Sequence, residues 1–397
     1  MAVFIHTSDW HIGNSFVHFD PDAGRRLNRA RLTAVESIFV YARQKKIPLI
    51  LCAGDAVDNG QLAPEKNLLD LFAVIKRYPE INVILITGNH DPLMANNVYL
   101  RAAESNYPPN LHLVKKTEII PLEPLNLVIY AASTLEKNGT QNPLHWIDAR
   151  EIDNSKINIG LAHGGIKNDK FAGACFPIEP DFAKEKNLDY LALGDWHSYV
   201  KINHRTYYCG VPEPLQFGDD GYPLQVTIEK PGDIPKIEKI TGVSQYTWTE
   251  QQVEMTDTRF PGFKEMLETV GEKEIKKLTV TGFLAAENYK TYKELLHLNR
   301  NRYYRIEDRV SIVPGADDLT GVGDGHTKAV VRRLLELKES GAPLPAEILS
   351  GVIPADQFSI EPPADAVKNE IIDCALMKLY KHFSTAGHGP DKRNSNE

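Results

Sequence analysis

The pattern of apolar and polar positions divides the chain into two parts. The first part contains five short apolar runs rich in Val, Ile and Leu, and each is closed by Gly or a polar cluster. This pattern predicts strands buried on both faces. The runs cover residues 3–7, 49–53, 83–87, 157–162 and 190–193. An amphipathic helix is predicted between the first two runs, with Leu32, Val35, Ile38 and Phe39 inward. Alternating strands and helices predict an α/β fold.

The second part begins after residues 227–242, a segment containing Pro and Lys that we interpret as a connection out of the first domain. Strand-like and helix-like patterns then alternate, which predicts a small α/β module. Strand-like segments are residues 253–255, 277–282 and 304–313, and helix-like segments are 260–270 and 289–298. A final amphipathic helix is predicted over residues 364–383, with apolar Val367, Ile371, Leu376, Leu379 and Phe383.

We therefore predict a first domain over residues 1–230, a small α/β domain over 243–315 and a helical region over 316–383. Residues 384–397 are polar, and we expect them to be disordered. The sequence G-V-G-D-G at 321–325 precedes a helix predicted over 328–338. It lacks the spacing and the ending of nucleotide-binding loops, so we interpret it as a helix entry.

Composition narrows the class of protein. The chain has 397 residues, of which 42% are hydrophobic, but no apolar run approaches the roughly 18 residues that a membrane span needs. The first strand begins too early to leave room for a signal peptide. Four cysteines are too few and too scattered for a disulfide framework or a zinc site, so we expect them to be reduced. They are Cys52, Cys175, Cys209 and Cys374. Together these features predict a cytoplasmic protein.

Candidate metal ligands follow each of the five apolar runs, and such loops are where open α/β sheets place their sites. The candidates are Asp9 with His11, Asp55, Asn89 with His90, His163, and Asp195 with His197. Carboxylate, imidazole and amide donors together suit Mn, Fe or Zn. Asp55 is the natural bridge between two cations, because each of its oxygens can face one of them.

Any one of these motifs alone is typical of a solvated loop or a turn. Five of them, each directly after a strand-like run, indicate a shared site. Two divalent cations about 3.5–4 Å apart can stabilise the attacking and leaving oxygens of a phosphate ester. His90 directly follows a ligand and is predicted to protonate or hydrogen-bond the leaving oxygen.

The order of motifs, D-x-H, G-D-x-x-D, G-N-H-D, a lone His and G-D-x-H, resembles the calcineurin-like metallophosphoesterase superfamily. The opening I-H-T-S-D-W-H-I-G and the later L-A-H-G-G-I resemble the SbcD/YhaO branch, whose members are DNA exonuclease subunits. Residues 208–218 resemble the family's closing strand and loop. The resemblance implies a four-layer fold of two mixed β-sheets sandwiched by helices, with a small α/β capping domain and C-terminal helices. Residues 1–230 would then be the metallophosphoesterase (nuclease) domain.

The resemblance also implies a role for each ligand. It implies one metal held by Asp9, His11, Asp55 and His197, and a second held by Asp55, Asn89, His163 and Asp195, with His90 as the catalytic histidine. Two positions depart from the family. Asp195 replaces a histidine and adds a negative, harder donor. Asp58 stands where many nuclease members have histidine, and it is equally consistent with supporting a neighbouring histidine.

The net charge of −8 does not indicate a nucleic-acid partner, because such proteins usually show a basic stripe. Local basicity is confined to Arg25, Arg26, Arg29 and Arg31, which we place just before the predicted helix. A solvated helix face explains the cluster. The alternative is that Arg25, Arg26 and Arg29 contact the DNA backbone beside the metals.

We therefore predict a DNA phosphodiesterase with two divalent metal ions, manganese ahead of Mg, Fe or Zn. The resemblance implies the nuclease subunit of an SbcC–SbcD-like complex, with DNA and a coiled-coil SbcC-like ATPase as partners. The alternatives are a phosphoesterase acting on cyclic nucleotides or phosphoproteins, and a catalytically weak scaffold that binds DNA or a partner. The last helix is expected either to dock on the ATPase or to pack on its own domain, and a homodimer is left open.

Overall fold

The computed structural model describes residues 1–167, 175–313, 325–340 and 365–385. The chain divides into two compact units, Met1–Trp248 and Thr249–Glu397. Within the described ranges, none of the helices combines the length and hydrophobicity that crossing a bilayer requires. The predicted helix entry at 321–324 and the predicted disordered tail beyond residue 385 lie outside the described residues.

The first sheet of the first unit has six strands. In spatial order they are β12 (Lys236–Lys239), β11 (Leu224–Ile228), β1 (Ala2–Thr7), β2 (Leu49–Ala53), β3 (Asn82–Ile86) and β4 (Leu111–Leu113). The strands from β1 to β4 are parallel, and β11 and β12 join antiparallel at one edge. Because β1, β2 and β3 are parallel, the loops that follow them emerge at the same edge of the sheet.

The second sheet also has six strands and is also mixed. In spatial order they are β5 (Thr117–Leu122), β6 (Leu127–Ala132), β7 (Ile157–His163), β8 (Tyr190–Gly194), β10 (Thr206–Tyr208) and β9 (Val200–Lys201). Parallel pairing joins β6, β7, β8 and β10, whereas β5 and β9 pair antiparallel at the two ends.

The two sheets pack face to face through a buried apolar layer that includes Phe4, Leu51, Ile159 and Tyr190. Helices α1 (Pro21–Lys45) and α2 (Glu65–Lys76) cover the other face of the first sheet. The short helix α4 (Phe182–Glu185) and apolar side chains of residues 144–152 cover the other face of the second sheet. A further short helix, α3 (Val98–Arg101), follows β3. The predicted four-layer α/β fold is confirmed.

The segment at residues 227–242 corrects one prediction. We interpreted it as a connection out of the domain, but it contains the end of β11 and all of β12, both of which belong to the first sheet. Antiparallel pairing with β1 supplies the backbone hydrogen bonds of β11. The Pro and Lys content of the segment reflects an exposed sheet edge and its turn, where both residue types are tolerated.

The second unit contains the small α/β module expected from the sequence. A three-stranded sheet in the order β13 (Thr247–Met255), β14 (Glu274–Leu284) and β15 (Arg305–Ile312) packs with α5 (Phe260–Glu268) and α6 (Ala286–Asn299). Two longer helices follow, α7 (Gly325–Glu339) and α8 (Asp365–Thr385). The apolar stripe of α8 packs on α7 through Ile371, Ile372 and Leu376. Packing within its own unit therefore accounts for these positions of the last helix.

Helix α1 begins earlier than predicted, and this changes the environment of its arginines. Asp20 caps the helix by accepting hydrogen bonds from the backbone of Asp22 and Ala23, and Pro21 occupies the first turn. All four arginines therefore lie within the helix and not before it. Arg25, Arg26 and Arg29 are exposed, whereas Arg31 is fully buried.

The buried guanidinium of Arg31 ties three loop carbonyls together. It donates to the carbonyls of Trp10 at 2.8 Å, Asp9 at 3.1 Å and Glu213 at 2.7 Å. Two of these belong to the loop after β1, and the third belongs to the loop after β10. Removing the donor would leave these buried carbonyls without a partner. An unsatisfied buried polar group lowers stability by more than a typical hydrogen bond adds.

We expect Arg31→Met to lower the free energy of unfolding by about 2–4 kcal/mol, because three buried carbonyls lose their donor. The exposed Arg29→Met on the same helix is the matched control and should change stability by no more than about 0.5 kcal/mol. Urea unfolding followed by circular dichroism measures both. Equal stabilities for the two variants would show that the Arg31 hydrogen bonds contribute little.

Candidate metal centre

The candidate ligands lie together where the carboxyl ends of parallel strands from both sheets meet. Asp9 and His11 follow β1, Asp55 follows β2 and Asn89 follows β3. His163 is the last residue of β7, and Asp195 and His197 follow β8. The seven residues assigned as ligands, which do not include His90, therefore all lie at or just after the end of a strand.

The backbone of these loops is held in an unusual conformation. Asp9, His11, Asp55 and Asp195 have φ angles of 53°, 43°, 53° and 108°, a region that residues other than glycine rarely occupy. Hydrogen bonds between the first two loops maintain the strain, since Asp9 N–H donates to Gly54 O at 3.0 Å and His11 N–H to Asp55 O at 2.9 Å. Such strain persists where the surrounding structure over-determines it, typically at functional sites.

The first group of donors surrounds His11. Its Nε2 atom lies 4.0 Å from Asp9 Oδ1 and 3.8 Å from Asp55 Oδ2. Donor atoms of Asp9, His11 and His197 all lie within 4.8 Å of one another. The rings of His11 and His197 meet edge to face at 5.2 Å.

The second group surrounds His163. Its Nε2 atom lies 3.2 Å from Asn89 Oδ1, 3.5 Å from Asp55 Oδ2 and 3.7 Å from Asp195 Oδ1. Two donors bound to one ion at about 2.1 Å each lie at most about 4.2 Å apart. These separations therefore suit a shared cation.

Asp55 belongs to both groups. Its Oδ2 atom lies 3.8 Å from His11 Nε2 and 3.5 Å from His163 Nε2, while Oδ1 accepts the backbone N–H of His90 at 2.8 Å. The amide of His90 therefore fixes the carboxylate, and Oδ2 is a point that the two donor groups share.

The donors fit divalent cations by charge as well as by distance. Among the residues that the structure describes, buried His11 Nε2 has no hydrogen-bond partner, which is unfavourable for a polar atom and would be relieved by a bound metal. Burial lowers the pKa of His11 to about 3, which keeps its imidazole neutral as a ligand must be, and raises the pKa of Asp55 to about 7. Burial would also lower the pKa of His163, but the Asp55, Asp9 and Asp195 carboxylates raise it to about 9. The cluster thus attracts positive charge.

The other ring nitrogen of each of the three histidines faces an acceptor, which is either a carboxylate or a backbone carbonyl. His11 Nδ1 faces Asp58 Oδ1 at 3.3 Å, and His197 Nδ1 faces Asp219 Oδ2 at 3.6 Å. His163 Nδ1 instead donates to the carbonyl of Ala53 at 2.8 Å. Partners of this type fix the tautomer and the ring orientation of a metal-binding histidine.

Asp58 also contacts His90, at 2.9 Å between Oδ1 and Nδ1. Burial would raise the pKa of Asp58, but the hydrogen bonds from His11 and His90 hold it well below its usual value. In return the hydrogen bond to Asp58 raises the pKa of His90. The His90 side chain is 48% exposed and its ring meets that of His11 at 4.7 Å. Donor atoms of His11, Asp58 and His90 all lie within 4.8 Å of one another, so these residues form a third set of possible ligands beside the two donor groups.

Sequence analysis missed three residues that organise the site. Asp219 supports His197, and Arg31 anchors the first loop. Asp91, the last residue of G-N-H-D, accepts from the backbone of Ala56 at 2.9 Å and of Gly88 at 2.7 Å. Of these three residues, only Asp91 could have been recognised from the sequence, because it belongs to the G-N-H-D motif.

Close packing around His163 explains two motif glycines. A Cβ atom at Gly88 would collide with Asp55 Oδ1 and with the His163 ring, and one at Gly54 would collide with the same ring. Gly54 also has a positive φ of 94°. Only glycine lets the two loops approach the histidine this closely.

The structure gives Arg25, Arg26 and Arg29 no contact with the candidate ligands among the described residues. Arg25 pairs with Asp22 on the surface of α1, and Arg26 and Arg29 are exposed on the same helix. Only Arg31 among the four reaches the first ligand loop, through the Asp9 and Trp10 carbonyls.

Comparison with known proteins shows which family the chain resembles. The family model for calcineurin-like phosphoesterases matches residues 2–199. The D subunit of the nuclease SbcCD from Escherichia coli strain K12 is 22% identical over 259 residues, which cover 55% of this chain and 62% of that protein. The protein of the same name from Rhodobacter capsulatus is 33% identical over 92 residues, or 22% of this chain and 21% of that protein. The chain therefore spans less than two thirds of the curated relatives it matches.

We expect Asp219→Asn to weaken manganese binding by 10- to 100-fold, a usual cost of losing a carboxylate behind a metal-binding histidine. The exposed neighbour Asp220→Asn removes the same charge one residue away and is the matched control. Isothermal calorimetry with MnCl₂ on the full chain measures both affinities. Equal affinities for the two variants would mean that Asp219 does not support a ligand.

Proposed function

Because residues 2–199 belong to the calcineurin-like phosphoesterase family, we propose that the chain is a metal-dependent DNA phosphodiesterase. The observation that carries the proposal is the pair of donor groups that meet at Asp55 Oδ2. We assign one metal to Asp9, His11, Asp55 and His197 and the other to Asp55, Asn89, His163 and Asp195. Manganese is the proposed ion, because the donors mix hard carboxylates with imidazoles.

Bound in pairs, divalent cations supply a nucleophile from water and stabilise charge on the attacking and leaving oxygens. The residues of the chain prepare this chemistry. The His90 amide fixes Asp55, and the Ala53 carbonyl fixes the ring of His163. Asp58 holds Nδ1 of His90, so Nε2 is the ring nitrogen that would serve the substrate. Its raised pKa favours the protonated form that can donate to a leaving oxygen.

The proposals that DNA is the substrate and that an ATPase is the partner are based on the similar proteins. Both curated relatives carry the name of a nuclease subunit. We propose that this chain acts with a coiled-coil SbcC-like ATPase. A truncated chain ending before residue 364 should retain hydrolysis of a small diester, because the last helix packs on α7 in the second unit and carries none of the proposed ligands.

Hydrolysis of cyclic nucleotides or phosphoproteins by the same centre is the competing function. Hydrolysis of bis(p-nitrophenyl) phosphate would not separate the two, because any phosphodiesterase of this family could cleave it. Manganese-dependent degradation of end-labelled duplex DNA would support the nuclease. Turnover of a cyclic nucleotide or a phosphopeptide without DNA degradation would contradict it.

We expect His90→Ala to retain manganese affinity and to lose turnover by about 10²–10⁴-fold, the usual contribution of a general acid or base. The exposed histidine variant His112→Ala, which removes a hydrogen bond to Glu118, is the control and should keep both properties. Calorimetry and hydrolysis of bis(p-nitrophenyl) phosphate provide the two readouts. Loss of manganese affinity in His90→Ala would make His90 a ligand.

Replacing Arg25, Arg26 and Arg29 together by Ala should weaken duplex binding if they contact the DNA backbone. The slope of log affinity against log salt should flatten by roughly 0.9 per lost contact. A variant with the exposed Lys45, Lys76 and Lys115 changed to Ala removes the same charge from other surfaces. Fluorescence anisotropy across a salt series compares the three proteins. Equal slopes for both triple variants would assign the arginine cluster to a solvated helix face.

A further inference from the structure

A pocket of about 430 Å³ opens at the carboxyl end of β6. Thr117 and Ala132, paired across β5 and β6, form one wall, and the loop at residues 133–145 forms another. Phe176 closes a third side. Because β6 and β7 are parallel neighbours, the pocket opens on the same sheet edge as His163.

The pocket is in contact with the immediate neighbours of two proposed ligands. Thr134 lines it and donates its hydroxyl to the carbonyl of Gly88, the residue before Asn89. The backbone of Phe176 packs so closely against Gly164, the residue after His163, that a Cβ atom at Gly164 would collide with it. A group in the pocket would therefore lie beside the second donor group.

The lining is suited to an uncharged polar ring and not to a phosphate. Among the described residues that line it, Glu136 is the one acidic side chain and there is no lysine or arginine. Leu135 and Phe176 supply apolar surface, while Thr140, Gln141 and His145 supply donors and acceptors. Phosphate sites need cations or clustered N–H groups. Apolar walls with a few neutral polar groups are typical of pockets for planar ligands, including nucleobases.

Some of these polar groups are available to a ligand. Ser133 and Asn142 are already committed. The Ser133 hydroxyl accepts from Thr87 N–H and donates to Val114 O, and the side-chain oxygen of Asn142 accepts from Leu144 N–H. The exposed side chains of Thr140 and Gln141 are not tied to another described residue. Both can donate and accept, which is what the edge of a base requires.

We propose that this pocket holds the nucleobase next to the phosphodiester that is cleaved. The inference rests on the proposed function and narrows its substrate to nucleotides whose base is unpaired. A base within a duplex is stacked and its pairing edge is occupied, so it must leave the helix to enter a pocket. Single-stranded or frayed ends meet this condition at least cost.

The test compares two diesters that release the same p-nitrophenol. Thymidine 5′-(p-nitrophenyl phosphate) carries a base, and bis(p-nitrophenyl) phosphate does not. In the manganese-loaded full chain, Thr140→Ala/Gln141→Ala should lower kcat/KM for the thymidine ester by roughly 10-fold, the effect of losing two neutral hydrogen bonds. The same variant should hydrolyse bis(p-nitrophenyl) phosphate as well as the parent does.

The control is Thr33→Ala/Gln44→Ala, which removes the same side chains from the exposed face of α1 and should leave both substrates unaffected. Equal losses on both esters, or no loss on either, would overturn the base pocket while leaving the phosphodiesterase intact. If the parent cleaves neither ester, the proposed function fails. The pocket is then judged by NMR binding of thymidine itself, where equal binding by parent and variant would overturn it.

Discussion

The hydrogen bond between His163 and Ala53 is among those that join the two sheets at the candidate metal centre. His163, at the end of β7, donates from Nδ1 to the carbonyl of Ala53, at the end of β2. This bond fixes the tautomer of the imidazole and directs Nε2 toward Asn89, Asp55 and Asp195. Donors from four separate loops can share one ion only if the two sheets hold this alignment, so the packing between the sheets is a condition of the chemistry.

Electrostatic repulsion is the second constraint. The carboxylates of Asp9 and Asp55 are buried almost completely, and burying like charges together is unfavourable without positive charge between them. The protein offsets part of that cost with hydrogen bonds, from the His90 amide to Asp55 and from the Asp195 amide to Asp9. Cations would offset the remainder, which is why the same residues that destabilise the metal-free fold define its site.

The two donor groups differ in what stands behind their histidines. His11 and His197 are backed by the carboxylates of Asp58 and Asp219, whereas His163 is backed by a neutral carbonyl. Either kind of partner fixes the orientation of the imidazole. The donor group whose histidine is backed by a carbonyl is the one bordered by the pocket at residues 133–145.

The sequence by itself determined the strands, the order of the ligands and the family that they resemble. These features are local: an apolar run forms a strand, and the polar residue after it lies at the strand's carboxyl end. Contacts between distant parts of the chain could not be predicted in this way. Asp219 meets His197 across a loop, Arg31 reaches Glu213 from a helix, and β11 pairs with β1 from the far end of the first unit. Only the tertiary structure decided these contacts, because they join residues far apart in the chain. It also brought Oδ2 of Asp55 near both histidines.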